Sequence, residues 1–578
     1  MADFSENALL VLRERYLRRD ETGRTIESPT GMIERVAAAV AAPATEFGEN
    51  PREWEERFFH RLDSLEFLPN SPALMNAGMP GGGQLAACFV LPIHDDLDSI
   101  FKALSLAARI QQTGGGTGFS FSELRPAGDR VSSTGGISSG PMSFMELFDH
   151  ATTVIRSGGR RRGANMAVLR VDHPDIREFI AAKLNPEALA NFNLSVGLTD
   201  EFLDALDKGA DFPLRNPRTG NVAALVSAAR LFESIVEAAH ACGDPGLLFL
   251  DEIERHNPTP ALGRIEATNP CGEQPLLAYE SCTLGSINLA AFAGPSDLQW
   301  DRFREAIHDA VVFLDNLIDA SRYPSEEIGG ATRRTRKIGL GVMGLADLLA
   351  SLGIPYDSAE AVAMGERIAR TLTSEARAKS IELGQRRGSF PAFERSVWPA
   401  RGITSLRNAT VTCVAPTGTL SLLAGCSSGI EPFFALASVR HALDGRRLVE
   451  INRAAREAVE ELGAPGLVAL DEIRRHGSIR ATPGIPDHLK RRFPIALELD
   501  PLDHVRMQAA FQKYVDAAVS KTVNLPSSAG VEDVRKVFEA ARALKLKGVT
   551  VYRYRSKPHQ AVSLVEDERA PDCRECAV

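Results

Sequence analysis

From about Ser71 to Tyr554, short runs of β-branched and apolar residues alternate with longer amphipathic stretches. That alternation restricts the chain to an α/β architecture with much parallel pairing. The short runs include Leu85 to Leu91, Met166 to Val171, Phe192 to Val196, Thr410 to Val414 and Val549 to Tyr552. Between them lie helical candidates such as Leu97 to Ile110, Arg302 to Ile318 and Ser358 to Leu383. Ahead of them, apolar positions recur at helical spacing in Asn7 to Leu17, Gly31 to Ala41 and Trp54 to Leu65. Residues 1–70 are therefore expected to form an N-terminal helical region and residues 71–555 the α/β body. After Ser556 the pattern is lost, and residues 556–578 read as a mobile tail ending in Asp572-Cys-Arg-Glu-Cys-Ala-Val.

Charge and targeting signals narrow the class. With 66 Lys+Arg against 75 Asp+Glu the net charge is -9, so no global basic field is available for a nucleic-acid backbone. No cationic start followed by an apolar stretch opens the chain, and no apolar run reaches membrane-spanning length. A cytoplasmic enzyme with no membrane or nucleic-acid partner is expected. The eight cysteines, at 88, 242, 271, 282, 413, 426, 573 and 576, are too sparse for a disulfide framework and are expected to be thiols unless chemistry demands otherwise.

The most specific local pattern is Asn269-Pro-Cys-Gly-Glu273. Pro270 and Gly272 force a tight loop that projects the Cys271 thiol, and Asn269 and Glu273 can converge on one ligand. A lone cysteine in a turn is more often a small buried hydrophobe; the flanking amide and carboxylate favour a functional thiol. Cys88 and Cys282 lie in apolar contexts where, taken singly, a core thiol is the plain reading. Cys573 and Cys576 have the spacing of a dithiol redox motif or of half a zinc site, and the lack of a second such pair favours redox. Pro416-Thr-Gly-Thr419 stands between a strand candidate and an apolar run, which suits either an anion site or an ordinary N-cap. Glycine-rich segments at 81–83, 114–118, 135–140 and 158–163 read as loops whose backbone can approach a ligand. No Gly-x-x-x-x-Gly-Lys-Ser/Thr loop is present, and Gly114-Gly-Gly-Thr-Gly118 lacks the spacing of a dinucleotide fingerprint.

In order and context, Ser71-Pro-Ala-Leu-Met-Asn-Ala-Gly78, Cys88, Asn269-Pro-Cys-Gly-Glu273, Cys282, Pro416-Thr-Gly-Thr419 and the Cys573/Cys576 pair resemble the large subunits of ribonucleotide reductases. The resemblance runs nearly the full chain. It implies a ten-stranded α/β barrel of two half-barrels with a central finger loop. It also implies that Cys271 is a thiyl-radical site removing the ribose 3′-hydrogen, that Glu273 takes the 3′-hydroxyl proton and that Asn269 holds the substrate hydroxyls. Cys88 and Cys282 would supply two reducing equivalents and end as a disulfide, which Cys573 and Cys576 would reduce before being recharged by a thioredoxin-like protein. Ser71, Ala87, Thr417, Gly418 and Thr419 are implied to bind substrate, a ribonucleoside diphosphate or triphosphate. Asp95, Gly115 and Arg161 are implied to contact a deoxynucleotide or ATP effector, and a homodimer is the expected assembly. No ATP-cone domain is expected ahead of the helical region.

The radical source is read from Gly548-Val-Thr-Val-Tyr-Arg-Tyr-Arg-Ser556, where Arg553 stands in place of the second of two adjacent tyrosines found in metal-subunit-dependent relatives. This stretch, and Leu169-Arg-Val-Asp-His-Pro-Asp-Ile-Arg-Glu-Phe179, resemble the adenosylcobalamin-dependent branch. In that branch cobalt–carbon homolysis beside Cys271 generates the radical, with no metal ligand from a protein side chain. Tyr554, two positions along a strand, is expected to face the same side as Tyr552. A large subunit needing a metal-containing partner and a non-catalytic nucleotide-binding paralogue are the competing readings.

Overall fold

The computed structural model describes residues 2–131, 135–155, 163–442, 446–557, 560 and 562–565. Ten strands form one sheet: β1 Phe67–Pro69, β2 Cys88–Val90, β3 Gly116–Ser120, β4 Asn165–Arg170, β5 Phe192–Leu198, β6 Gly246–Phe249, β7 Ser281–Asn288, β8 Ile338–Met343, β9 Thr522–Leu525 and β10 Gly548–Arg553. Strands β2 to β6 are mutually parallel, as are β7 with β8 and β9 with β10. Parallel bridges Leu340↔Thr412 and Val414↔Val519 lead from β8 through residues 410–414 towards β9 and close the ring. The halves meet at two antiparallel seams, β2 against β7 and β6 against β10. This is the α/β barrel of two half-barrels expected from the sequence, preceded by a helical region that includes Pro29–Ala41 and Pro51–Asp63.

Three local expectations change. β1 falls within the first seventy residues and pairs with β7, so the sheet begins before the helical region's expected end. Residues 410–414 close the ring through isolated bridges only, without forming a regular strand. A two-residue strand, Val562–Ser563, lies in the stretch read as patternless, where its partner is some 120 residues earlier in sequence. A strand that short has no period to read.

Helices cover the ring. Leu97–Gln112 is capped by Asp96, whose side chain accepts from Ser99 N–H at 2.7 Å, and turns Ile100, Ala103, Leu106, Ala107 and Ile110 inward. Trp300–Ala320 is buried along most of its length and carries a fully buried carboxylate, Asp315. Three guanidinium groups from separate segments converge on it: Arg336 at 2.8 Å, Arg387 at 3.2 Å and Arg407 at 3.2 Å. Asn408 adds an N–H at 3.0 Å, and Asp319 and Glu49 share the arginines' remaining donors. Burial opposes ionisation of Asp315, but the three arginines outweigh it and hold the carboxyl at about 2 against an ordinary 3.8.

Because the folded-state value lies below the unfolded one, the stabilisation linked to Asp315 is complete above about pH 4 and is lost as pH falls towards 2. Asp315→Asn strands three buried cations and is expected to cost about 3–5 kcal/mol in urea unfolding at neutral pH. A loss under about 1 kcal/mol would show that the arginines are compensated by other groups.

Candidate active site

A hairpin of strands Ala267–Thr268 and Pro275–Leu276 forms a finger against the sheet, with register Pro275↔Thr268 and Leu276↔Ala267. Its tip is closed by three hydrogen bonds: Asn269 N–H to Gln274 O at 3.1 Å, Gly272 N–H to Asn269 O at 3.1 Å and Gln274 N–H to Asn269 Oδ1 at 2.9 Å. Gly272 sits at φ +81°, a conformation that costs glycine nothing. Two outside groups hold the tip. Asn193 Nδ2 donates to Pro270 O at 2.8 Å, and Ala518 N–H donates to Glu273 O at 2.9 Å.

What lets the finger lie this close is the composition of β3. A Cβ on Gly118 would stand 1.7 Å from Thr268 O, and one on Gly116 would stand 2.8 Å from Pro270 Cγ. Gly114 to Gly118, read from sequence as a ligand-facing loop, thus leads into a strand whose missing side chains accommodate the finger. Gly115 is buried at the entry to β3, where a Cβ would meet Ile110 at 2.6 Å and Phe89 at 2.9 Å.

The finger sorts the thiols by exposure. Cys271 at the tip is exposed, whereas Cys88 and Cys282 are 3% and 0% exposed and are register partners across the β2/β7 seam. Paired residues of neighbouring antiparallel strands have Cα atoms about 4.5–5.5 Å apart, inside the range a disulfide spans. Asn269 Nδ2 donates to Cys88 Sγ at 3.1 Å, and Cys88 Sγ lies 3.9 Å from Glu273 Oε1. Burial, reinforced by the Glu273 carboxylate, pushes the Cys88 thiol well up. Burial and then Cys413 do the same to Cys282. Both stay protonated at neutral pH, the state in which a thiol gives up hydrogen. Beneath them Lys337 and Glu280 form a buried ion pair at 2.6 Å, and the Lys337 carbonyl accepts from Cys282 Sγ at 3.5 Å.

The sequence reading did not single out Cys413 or Asn193. Cys413 is fully buried in the same apolar cluster as Cys88 and Cys282, and in sequence it looks like any core cysteine. A Cβ on Gly339 would stand 2.7 Å from its sulfur and 2.3 Å from Gln274 Nε2, so that glycine leaves room for both. Asn193 carries no motif; only its position on β5 opposite the finger reveals its role.

The remaining candidates are spread around this centre. Thr417 adopts φ +52° ahead of the helix Gly418–Ala424, its Oγ1 accepting from Gly429 N–H at 2.7 Å, and Thr419 belongs to that helix. Gly418 O accepts from Arg440 Nη1 at 3.0 Å. Ser71 opens the short helix Ser71–Asn76 with its Oγ 2.8 Å from Tyr16 Oη. Ala87 precedes Cys88, donating its N–H to Cys282 O at 3.2 Å and accepting from Gly116 at 2.8 Å. Asp95 is held by Arg125 at 2.8 Å. Arg161, Cys573 and Cys576 lie outside the described residues. β10 ends at Arg553, so Tyr554 stands in the turn beyond it, its hydroxyl accepting from Leu564 N–H at 3.3 Å, and no strand alternation relates it to Tyr552. Burial moves the Tyr552 hydroxyl up to about 12.

Family comparison agrees with this geometry. The ribonucleotide reductase all-alpha domain matches residues 2–82, and the ribonucleotide reductase barrel domain matches residues 86–405 and 401–552. This chain belongs to the ribonucleotide reductase large-subunit family. It is 54% identical to a vitamin B12-dependent ribonucleoside-diphosphate reductase of Mycobacterium tuberculosis (strain CDC 1551 / Oshkosh), over 96% of this chain and 80% of that protein. It is 44% identical to the protein of that name from Thermoplasma acidophilum, again over 96% and 80%. Its fold matches that of the Actinobacillus ureae class Id ribonucleotide reductase alpha subunit with a TM-score of 0.78, at 22% identity, over 96% of this chain and 97% of that one. Among the described residues of this ribonucleotide reductase, no helix is long and apolar enough to cross a membrane.

Gly118→Ala tests the finger's seat directly. The added methyl must displace the backbone at Thr268, and a shift of about 1 Å at reacting groups costs on the order of 100-fold in turnover. Ribonucleotide reduction is expected to fall by about that factor while the far-ultraviolet circular dichroism stays unchanged; full activity would mean the hairpin is free to slide.

Proposed function

We propose that this chain reduces ribonucleoside diphosphates to 2′-deoxyribonucleotides with Cys271 as its thiyl-radical residue, adenosylcobalamin as radical source and a thioredoxin-like protein as final reductant. The observation that carries the reading is the exposed Cys271 on a finger whose Asn269 and Glu273 reach back to the buried Cys88 and its register partner Cys282. The diphosphate preference and the cobalamin dependence follow the names of the relatives in Mycobacterium tuberculosis and Thermoplasma acidophilum.

The finger tip fits such a cofactor. Cys271 is exposed, and nothing lies within 4 Å of where a Cβ on the adjacent Gly272 would stand, so Cys271 and Gly272 would form the protein face against it. When bound, adenosylcobalamin supplies a carbon-centred radical by homolysis of its cobalt–carbon bond. In our reading Cys271, as a thiyl radical, takes the ribose 3′-hydrogen and later returns it. Glu273 accepts the 3′-hydroxyl proton, and Asn269 holds the hydroxyls in place. One thiol of Cys88 and Cys282 protonates the departing 2′-hydroxyl, which leaves as water. The pair closes as a disulfide, so two thiols and one ribonucleotide yield one disulfide, one water and one deoxyribonucleotide. Cys573 and Cys576 then reduce that disulfide by exchange.

Ser71, Ala87, Thr417, Gly418 and Thr419 are assigned to substrate, supported by the Thr417 turn and the N–H groups opening the helix after it. Asp95, Gly115 and Arg161 are assigned to the effector region; Asp95 precedes and Gly115 follows the helix Leu97–Gln112, and Arg161 lies outside the described residues. A homodimer is supported by Leu97 and Phe101, one turn apart on the helix Leu97–Gln112 and 62% and 51% exposed.

Incubation of the purified chain with a ribonucleoside diphosphate and a dithiol, without oxygen, is expected to give deoxyribonucleotide only when adenosylcobalamin is added. Cys271→Ser should abolish product and leave nucleotide binding intact; near-wild-type turnover would remove Cys271 from the mechanism. Product formed equally without cobalamin would point to another radical source.

A further inference from the structure

Beside the barrel stands a small antiparallel sheet. Strands Ala437–Ala442 and Arg446–Ile451 pair with each other, and Val562–Ser563 adds to the free edge of the first with register Val439↔Ser563 and Arg440↔Val562. The added strand is anchored by its side chains. Ser563 is 2% exposed, and Val565 packs on the satellite core of Phe433, Leu436, Ile473 and Phe493. Leu564 donates its N–H to Tyr554 Oη at 3.3 Å, and its side chain fills the space over Gly477, where a Cβ would come within 2.9 Å. A residue of this sheet also touches the barrel rim: Arg440, register partner of Val562, donates Nη1 to Gly418 O at 3.0 Å in the turn assigned to substrate phosphate. That turn is five residues from Cys413, which shares the barrel's interior cluster with Cys88 and Cys282.

We propose that Val562–Ser563 is a docking clip for the chain's own C-terminal segment, holding the departure point of the Cys573/Cys576 dithiol at the rim of the substrate site. The proposal rests on the reading of those cysteines as the reductant of the Cys88–Cys282 disulfide. Cys573 follows Val565 by eight residues, which span at most about 28 Å. Arg440 ties the clip's partner strand to the turn at Gly418, so the dithiol sets out from the side of the barrel on which that turn lies. Release of the chain back to Lys557, which is paired with Asp244 at 2.8 Å, doubles the tether to sixteen residues. Effective concentration falls as about the three-halves power of tether length, so releasing the clip lowers it about threefold. The step it serves is balanced. A tail thiolate attacks one sulfur of the Cys88–Cys282 disulfide, the second tail thiol resolves the mixed disulfide, and the interior thiols are restored as the tail becomes the disulfide.

The test is Val562→Pro with Ser563→Pro, which removes both N–H groups that could join the ladder from an edge strand and leaves the hairpin intact. In the full chain, amide hydrogen exchange at Leu564 and Val565, which keep their N–H groups in the variant, is expected to be slow in the wild type and fast in the variant. Thioredoxin-driven turnover should fall about threefold, and dithiothreitol-driven turnover should stay unchanged. Fast exchange in the wild type overturns the clip, as does a variant whose thioredoxin-driven turnover is unchanged or raised. Cys573→Ser with Cys576→Ser separates the two readings: if that variant keeps thioredoxin-driven turnover, the tail dithiol reading itself fails, whatever the clip does.

Discussion

The active centre depends on a contact to which β3 brings no side chain. The finger lies across β3 because Gly116 and Gly118 present bare backbone to Pro270 and Thr268, at separations a methyl group would close to 2.8 and 1.7 Å. Everything chemical on the finger is placed by that approach. Asn269 reaches Cys88 at 3.1 Å, Glu273 comes within 3.9 Å of the same sulfur, and Cys271 at the tip is exposed. Seating the hairpin on backbone also removes the rotamer freedom that a side-chain contact would bring. The positions of Asn269 and Glu273 are therefore set by strand geometry and by the braces from Asn193 and Ala518.

Burial then divides the labour among chemically identical thiols. A residue that must accept a radical from outside has to be reachable, and Cys271 is the exposed one of the interior group. Thiols that must donate hydrogen have to remain protonated, and the dry surroundings of Cys88 and Cys282 raise both well above the ordinary thiol range. The same protonation makes them poor nucleophiles towards stray electrophiles. In the proposed mechanism one physical variable, water access, thus sets both the radical entry point and the reductant.

Much of this was legible in the sequence because its signals are local. Alternating runs give the α/β architecture, and Pro270 and Gly272 around Cys271 give the projecting loop, since each depends on residues near in the chain; the barrel itself was implied by the family resemblance. The finger's seat was misread because Gly116 and Gly118 look like any glycine-rich loop until the hairpin some 150 residues later is laid on them. Asn193, Cys413 and the strand Val562–Ser563 escaped for the same reason: their partners are remote and they carry no period of their own. The three arginines around Asp315 come from positions 336, 387 and 407, and nothing in their spacing forecasts convergence.

The seam between the half-barrels ties architecture to redox chemistry. The two half-barrels meet by antiparallel pairing, and an antiparallel ladder sets residues directly opposite one another, whereas a parallel one staggers them. Cys88 and Cys282 occupy one such opposed pair, on β2 and β7. A thiol pair that must close and reopen once per turnover needs its Cα atoms inside the disulfide range in both states, so that the backbone does not move when the bond forms. The seam supplies that separation as a property of the ladder. The sheet is also tied to the finger here, because Asn269 and Glu273 both reach Cys88. A slip of one residue in the β2/β7 register would turn the cysteines to opposite faces and break the contact with the finger at once. In the proposed mechanism the barrel's closure and the redox pair depend on the same ladder.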